Sequence, residues 1–182
     1  MRIRTITGLV AVAAMALPIG LIATPAGAAT AGTTCKTASG TATFAPALPK
    51  AGSSATVKPT ITIKNAKLGG CKGGGVTGGT FSATLKFTVA SNCATLIAGD
   101  PTGTKGTETI TWNTKQTSTV ALTLAGVKGH VTETAATGGV SKGLFAKAKQ
   151  SGTLNYTLPA GACGSAGLSK VTFKQLTPIV IK

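Results

Sequence analysis

The stretch Thr80-Phe81-Ser82-Ala83-Thr84-Leu85-Lys86-Phe87-Thr88-Val89 alternates polar and apolar residues with a period of two. Successive side chains of a β-strand point to opposite faces, so this pattern describes a strand with one buried and one wet side. The alternation recurs on either side of it. Ile61 and Ile63 stand among Thr60, Thr62 and Lys64, and Ile110 and Trp112 among Thr109, Thr111 and Asn113. Further on come Val120, Leu122 and Leu124, then Leu154, Tyr156 and Leu158, then Val171 and Phe173 between Lys170, Thr172 and Lys174. The polar partners are mostly Thr, whose branched side chain suits a pleated surface. Glycine clusters such as 69–70, 73–75, 78–79 and 138–139 separate the runs. Residues 140–149 are read as strand, because Gly143 and the neighbouring glycines oppose a helix. About eight or nine short antiparallel strands follow, in an all-β fold. The leading expectation is an immunoglobulin-like β-sandwich stapled by two disulfides; a β-barrel or jelly roll is the alternative.

The first residues read differently. Arg2 and Arg4 precede an apolar run over residues 6–23, and Ala26 and Ala28 supply small residues at the −3 and −1 sites. This is the form of a secretory signal peptide over residues 1–28, leaving one domain over 29–182. Removing it takes both arginines, so 16 lysines stand against three acids, a net charge of +13. No transmembrane segment is expected after processing.

Four cysteines in an exported chain point to disulfides. Cys35, Cys71, Cys93 and Cys163 include no C-x-x-C pair, which argues against a metal site. Counting strand directions places Cys71 with Cys35 at one end of the molecule. Cys93 falls with Cys163 at the other, giving the pairs Cys35–Cys71 and Cys93–Cys163.

The composition excludes most catalytic chemistry. The chain has three Asp and Glu residues and one His. A hydrolytic site would have to use His130 as base for one of the many Ser or Thr hydroxyls, oriented by Glu133 or Asp100, and a two-carboxylate pair would use Glu108 with Glu133, because Asp100 precedes Pro101 in a turn. Glu108 shares the parity of Ile110 and Trp112 and is expected to face inward. Trp112 and Tyr156 are in phase with aliphatic residues, which indicates core packing rather than a sugar platform. The glycine-rich tract 69–79 lacks a Gly-Lys-Ser/Thr ending and is no phosphate loop. We expect no enzyme activity, no cofactor and no metal.

Charge carries more information. The hairpin joining residues 60–68 to 80–89, with its loop centred near 74–75, places Lys64 opposite Thr84 or Lys86. Lys64 and Lys86 then share one outer face. Lys170 and Lys174 form a similar outward pair on the last long strand. Lys67 has inward parity and is read as a strand end. Lysine without arginine acts as a point charge rather than a bidentate phosphate reader, so sequence-specific nucleic-acid recognition is not expected. Candidate partners are an anionic cell-wall polymer or a membrane surface.

The leader, Leu68-Gly69-Gly70-Cys71, Asn92-Cys93-Ala94-Thr95-Leu96, Thr109-Ile110-Thr111-Trp112 and Gly143-Leu144-Phe145-Ala146 together resemble small secreted actinobacterial proteins that have no assigned activity. The resemblance implies a secreted β-sandwich and brings no site residues with it. The leading functional expectation is a secreted, non-enzymatic, envelope-associated binding protein. Its lysine-rich sheet face, with Lys64, Lys86, Lys170 and Lys174, would adhere to anionic polymers. The alternatives are an inert domain whose lysines serve solubility alone and, further off, a cryptic hydrolase.

Overall fold

The computed structural model describes residues 32–97, 103–127 and 130–182. The expected leader over 1–28 and Asp100 lie outside the described residues. The alternating segments become nine strands: β1 (Thr33–Cys35), β2 (Thr37–Leu48), β3 (Thr60–Gly69), β4 (Gly78–Lys86), β5 (Thr104–Trp112), β6 (Thr117–Val127), β7 (His130–Gly143), β8 (Lys149–Thr157) and β9 (Leu168–Ile181). One short helix, α1 (Cys93–Ile97), lies between β4 and β5. Each strand from β2 to β9 pairs antiparallel with the next, and β9 also pairs with β2. The sheet therefore closes into an eight-stranded antiparallel barrel. β1 is an extra strand beside β9, pairing Thr33 with Ile181 and Cys35 with Ile179.

The all-β expectation holds, and the sandwich is replaced by its alternative, the barrel. Alternation reports which side of a strand is dry. It does not report whether the last strand meets the first. In a sandwich the dry sides of two sheets face each other, whereas here one sheet curls until its own dry side is enclosed. Small inward residues make the narrow interior possible. Ala38, Ala42, Ala66, Ala83 and Ala136 are all buried. At Gly106 a Cβ would lie 2.0 Å from the Thr84 carbonyl oxygen and 2.6 Å from Leu85 Cα. Closure also removes the open sheet edges along which β-proteins associate.

The two ends are built differently. One end is plugged by Trp112 and Phe145, whose rings meet edge to face at 5.4 Å. Trp112 Nε1 donates to Ser118 Oγ at 2.8 Å, and Ser118 Oγ donates to the Leu144 carbonyl. The segment read as strand over 140–149 is in fact a hairpin: β7 stops at Gly143, which has φ +84°, and a turn carries Phe145 under the barrel before β8 begins at Lys149. The Cys35–Cys71 disulfide closes the same end. At the opposite end α1 covers the interior, tied by Cys93–Cys163 and by Tyr156 Oη donating to the Leu96 carbonyl at 3.1 Å. These are the pairs that counting strand directions gives.

The β3–β4 hairpin has a different register from the expected one. Thr60 pairs with Lys86 and Thr62 with Thr84, but beyond a bulge Ala66 pairs with Phe81. Paired numbers thus sum to 146 and then 147, not 148 or 150. Lys64 and Asn65 occupy the bulge, so Lys64 is opposite neither Thr84 nor Lys86. The inserted residue also reverses the parity beyond it, so Ala66 and Leu68 point inward and Lys67 outward. The reading of Lys67 as inward is corrected by that one residue. Strand β4 ends at Lys86, leaving Val89 exposed although it continues the alternation.

Candidate functional site

Three groupings of polar side chains stand out, one on the wall, one at the rim and one inside. The wall grouping contains all four lysines singled out in the sequence. Lys64, Lys86, Lys170 and Lys174 are exposed on β3, β4 and β9, which lie within a run of neighbours β9-β2-β3-β4. Register places Lys170 level with Thr43, Thr62, Thr84 and Thr107, and Lys174 level with Ser39, Lys67, Thr80 and Thr111. Neighbouring strands are about 4.8 Å apart, so Lys67 and Lys174 stand about 10 Å apart across β2.

Two further lysines join this face. Lys67 arrives through the bulge. Lys105 on β5 is directly opposite Lys86, a like-charged cross-strand pair that costs stability. The arc β9-β2-β3-β4-β5 thus presents Lys64, Lys67, Lys86, Lys105, Lys170 and Lys174. Among the described residues its only acid is Glu108, which points inward. The remaining arc of β6, β7 and β8 carries Lys142, Lys149 and Glu133.

Small hydroxyls fill the spaces between the lysines. Ser82 and Thr84 of β4 stand opposite Thr109 and Thr107 of β5. With Thr62, Lys64 and Asn65 they line an open hollow beside the bulge, where the Asn65 backbone N–H donates to Ser82 Oγ at 3.1 Å. Outside is hydroxyl and ammonium, inside is apolar. A lipid-spanning barrel has the reverse alternation. Among the described residues no helix is long and apolar enough to cross a membrane.

The rim grouping is His130 with Glu133. Positions three apart on a regular strand face opposite ways. Here the β6–β7 pairing jumps from Val127–His130 to Gly126–Thr134, and that irregularity brings His130 Nδ1 to 3.0 Å from Glu133 Oε1. The imidazole is exposed to solvent. The structure therefore joins the two residues weighed as a base and its orienting carboxylate. Glu108 belongs to neither, being held inside the barrel wall.

The interior grouping pairs Glu108 with a residue that the sequence reading missed. Glu108 on β5 and Gln150 on β8 are 3% and 4% exposed. Gln150 Nε2 donates to Glu108 Oε2 at 2.7 Å, across the lumen rather than along the wall. Gln150 Oε1 is buried with no hydrogen-bond partner. Burial pushes the Glu108 carboxyl up to about 7 from its ordinary 4.5, and the Gln150 hydrogen bond only partly offsets this. Burial likewise pushes the Tyr156 hydroxyl up to about 12. Parity could have found Gln150, since it is in phase with Leu154 and Tyr156 along β8.

Trp112 and Tyr156 are both buried, as their phase indicates. Among the described residues no group of three or more His, Cys, Asp and Glu could hold a metal ion. No family model, curated protein or solved structure matches the chain.

Proposed function

We propose that the protein is a secreted, envelope-associated, non-enzymatic binding protein that holds anionic polymers on its β9-β2-β3-β4-β5 face. The observation that carries this reading is the asymmetry of the wall among the described residues: six lysines and no outward acid on one arc of strands, against two lysines and Glu133 on the other. Lysines placed for solubility alone have no reason to face one another, as Lys86 and Lys105 do. The hydroxyls between them offer hydrogen bonds to a polymer that carries alcohols as well as negative charge. Two disulfides and a closed sheet suit an oxidising, unprotected environment.

The competing reading, lysines for solubility, draws on Lys36, Lys72, Lys115 and Lys147, which are exposed elsewhere. The two readings separate by matched variants. Binding to long-chain polyphosphate is measured against salt for the parent protein. It is then measured for a face variant with Lys64, Lys86, Lys170 and Lys174 changed to Gln, and for a control with Lys36, Lys72, Lys115 and Lys147 changed to Gln. Both variants lose the same net charge. On the proposed reading the face variant lowers the slope of log K against log salt by about 3, at roughly 0.7 per lost contact on a single strand. The control changes it by less than half as much. Equal effects of the two variants, or no salt-dependent binding by the parent, would refute the reading.

A further inference from the structure

Glu108 and Gln150 are misplaced by the ordinary rules of a barrel core. Two polar side chains have been taken out of water, and the hydrogen bond from Gln150 Nε2 to Glu108 Oε2 leaves Gln150 Oε1 unmatched. An unpaired buried acceptor costs stability that two aliphatic residues of similar size would not. The cavity of about 20 Å³ beside the pair is lined otherwise by Ala, Ile, Leu and Phe, so Glu108 is its only polar side chain besides Gln150. Any side-chain donor to Gln150 Oε1 from this lining has to be Glu108 itself.

An ionised carboxylate only accepts hydrogen bonds, whereas a protonated one has an O–H to give and an oxygen left to accept with. A carboxylic acid and a primary amide can therefore meet edge to edge. The amide N–H donates to the acid, and the acid O–H donates to the amide carbonyl. The first of these bonds is present at 2.7 Å. The second needs only a proton on Glu108 Oε1, and burial holds the carboxyl protonated up to about 7. Protonation turns a pair with one bond and one orphan acceptor into a pair with two bonds and none.

The pair also joins strands that are not neighbours. Glu108 of β5 has Ala83 and Val120 as its partners in the sheet, and Gln150 of β8 has Gly138 and Ile181. Between β5 and β8 lie β6 and β7. On this side Leu124 of β6, Thr134 of β7 and Leu154 of β8 line the interior yet are partly exposed, whereas Phe44, Ile61 and Phe173 opposite are buried. Among the described residues, β2, β3, β4, β6, β7 and β9 present only aliphatic and aromatic side chains to the cavity beside Glu108. Tyr156 of β8 lies in the neighbouring chamber toward α1, and its hydroxyl, pushed up to about 12, stays protonated.

We propose that Glu108 and Gln150 form a proton-operated latch across the lumen. Protonated Glu108 makes a two-bond acid–amide pair that ties β5 to β8, and ionisation releases it and loosens the β6–β7–β8 side. One proton leaves Glu108 Oε1 for solvent, and the bond to Gln150 Oε1 breaks with it. What remains is a carboxylate in hydrocarbon facing an amide oxygen, two negative ends that repel. The carboxylate regains water only by opening the wall, and β6–β7–β8 is where the wall is thinly covered. The latch uses none of the outward lysines and does not depend on polymer binding.

The test uses the intact, oxidised protein carrying ¹³C-labelled Glu and Gln. The chain has two Glu and three Gln, so the Cδ signals are few and separable. Glu108 and Gln150 Cδ are followed by NMR from pH 4.5 to 9, together with backbone amide exchange corrected for the intrinsic effect of pH. The two Cδ signals should move with one midpoint. Across it, exchange of the β8 amides of residues 152–154 should speed up by at least about tenfold, and that of β3 by much less. Glu108→Gln puts an amide N–H where the acid has its O–H, and so holds the latch closed at every pH. In this variant Gln150 Cδ should stay at the parent's low-pH position, and β8 exchange should change by less than about twofold. The common midpoint and the strand pattern need no variant, so they decide the matter if Glu108→Gln does not fold. A Gln150 signal that stays still while Glu108 titrates would overturn the proposal. So would a Glu108→Gln variant whose Gln150 Cδ sits at the parent's high-pH position, or exchange that accelerates equally in all strands.

Discussion

Replacing Glu108 by Gln should change how the barrel responds to pH, and the size of the effect follows from its burial. In the unfolded chain this carboxyl ionises near 4.5, and in the barrel only at about 7. Between those values the folded state holds a proton that the unfolded state has released. Stability therefore falls as pH rises through this window: the contribution is fully present below 4.5 and is lost above 7. At about 1.4 kcal/mol per pH unit, the loss is about 3 kcal/mol. For a domain of this size that is a fall in Tm of roughly 6–12 °C. Gln at 108 keeps an oxygen for the Gln150 amide and cannot ionise. The groups lining this part of the lumen are otherwise aliphatic or aromatic, apart from Gln150, so no second titration accompanies it there. The assay is urea unfolding between pH 4.5 and 8, followed by fluorescence of Trp112, the single tryptophan. Taking the difference between parent and variant at each pH cancels whatever the two proteins have in common. The variant should match the parent at pH 4.5 and exceed it by about 3 kcal/mol at pH 8. Parallel curves, within about 0.5 kcal/mol across the range, would refute the argument that Glu108 is held neutral by burial.

Two other perturbations test how the barrel is held together. Changing Cys93 and Cys163 to Ala opens a 70-residue loop and should cost about 4 kcal/mol in the chain-entropy model, read from the urea midpoint. A loss below about 1 kcal/mol would show that α1 and Tyr156 close that end unaided. Gly106→Ala should cost about 3 kcal/mol, because its Cβ would meet backbone atoms of Thr84 and Leu85 rather than a side chain that can swing away. A neutral result would mean that β4 and β5 can move apart where the structure has them in contact.

The strands could be read from the sequence because alternation is a local signal. Phe81, Leu85, Ile110, Val120, Val171 and Phe173 are buried in the phase that their neighbours indicate. Closure could not, because nothing near Ile181 or Gln150 shows that the strands carrying them are neighbours. The bulge at Lys64 and Asn65 was equally hidden. One added residue changes the parity of everything beyond it, so Lys67 moved from inside to outside while its neighbours in sequence stayed the same. Of the candidate sites, the outward lysines and the inward Glu108 could be read from parity. The partnership of Glu108 with Gln150 spans 42 residues and the width of the lumen, and only the closed structure reveals it. His130 and Glu133 met for a similar reason, an irregular register at the start of β7 that composition does not announce.

Strand β9 pairs on one side with β2, more than a hundred residues earlier, and on the other with β8. Without β9, β2 and β8 would each have an edge with no partner, and the sheet could not enclose its apolar face. A chain emerging from its N-terminal side cannot close the barrel piece by piece. Closing the sheet depends on a pairing of high sequence separation, the kind of contact whose loop entropy slows folding. The threonines and lysines along the outside would act until that pairing forms, keeping the unclosed sheet from pairing with its neighbours before it can pair with itself.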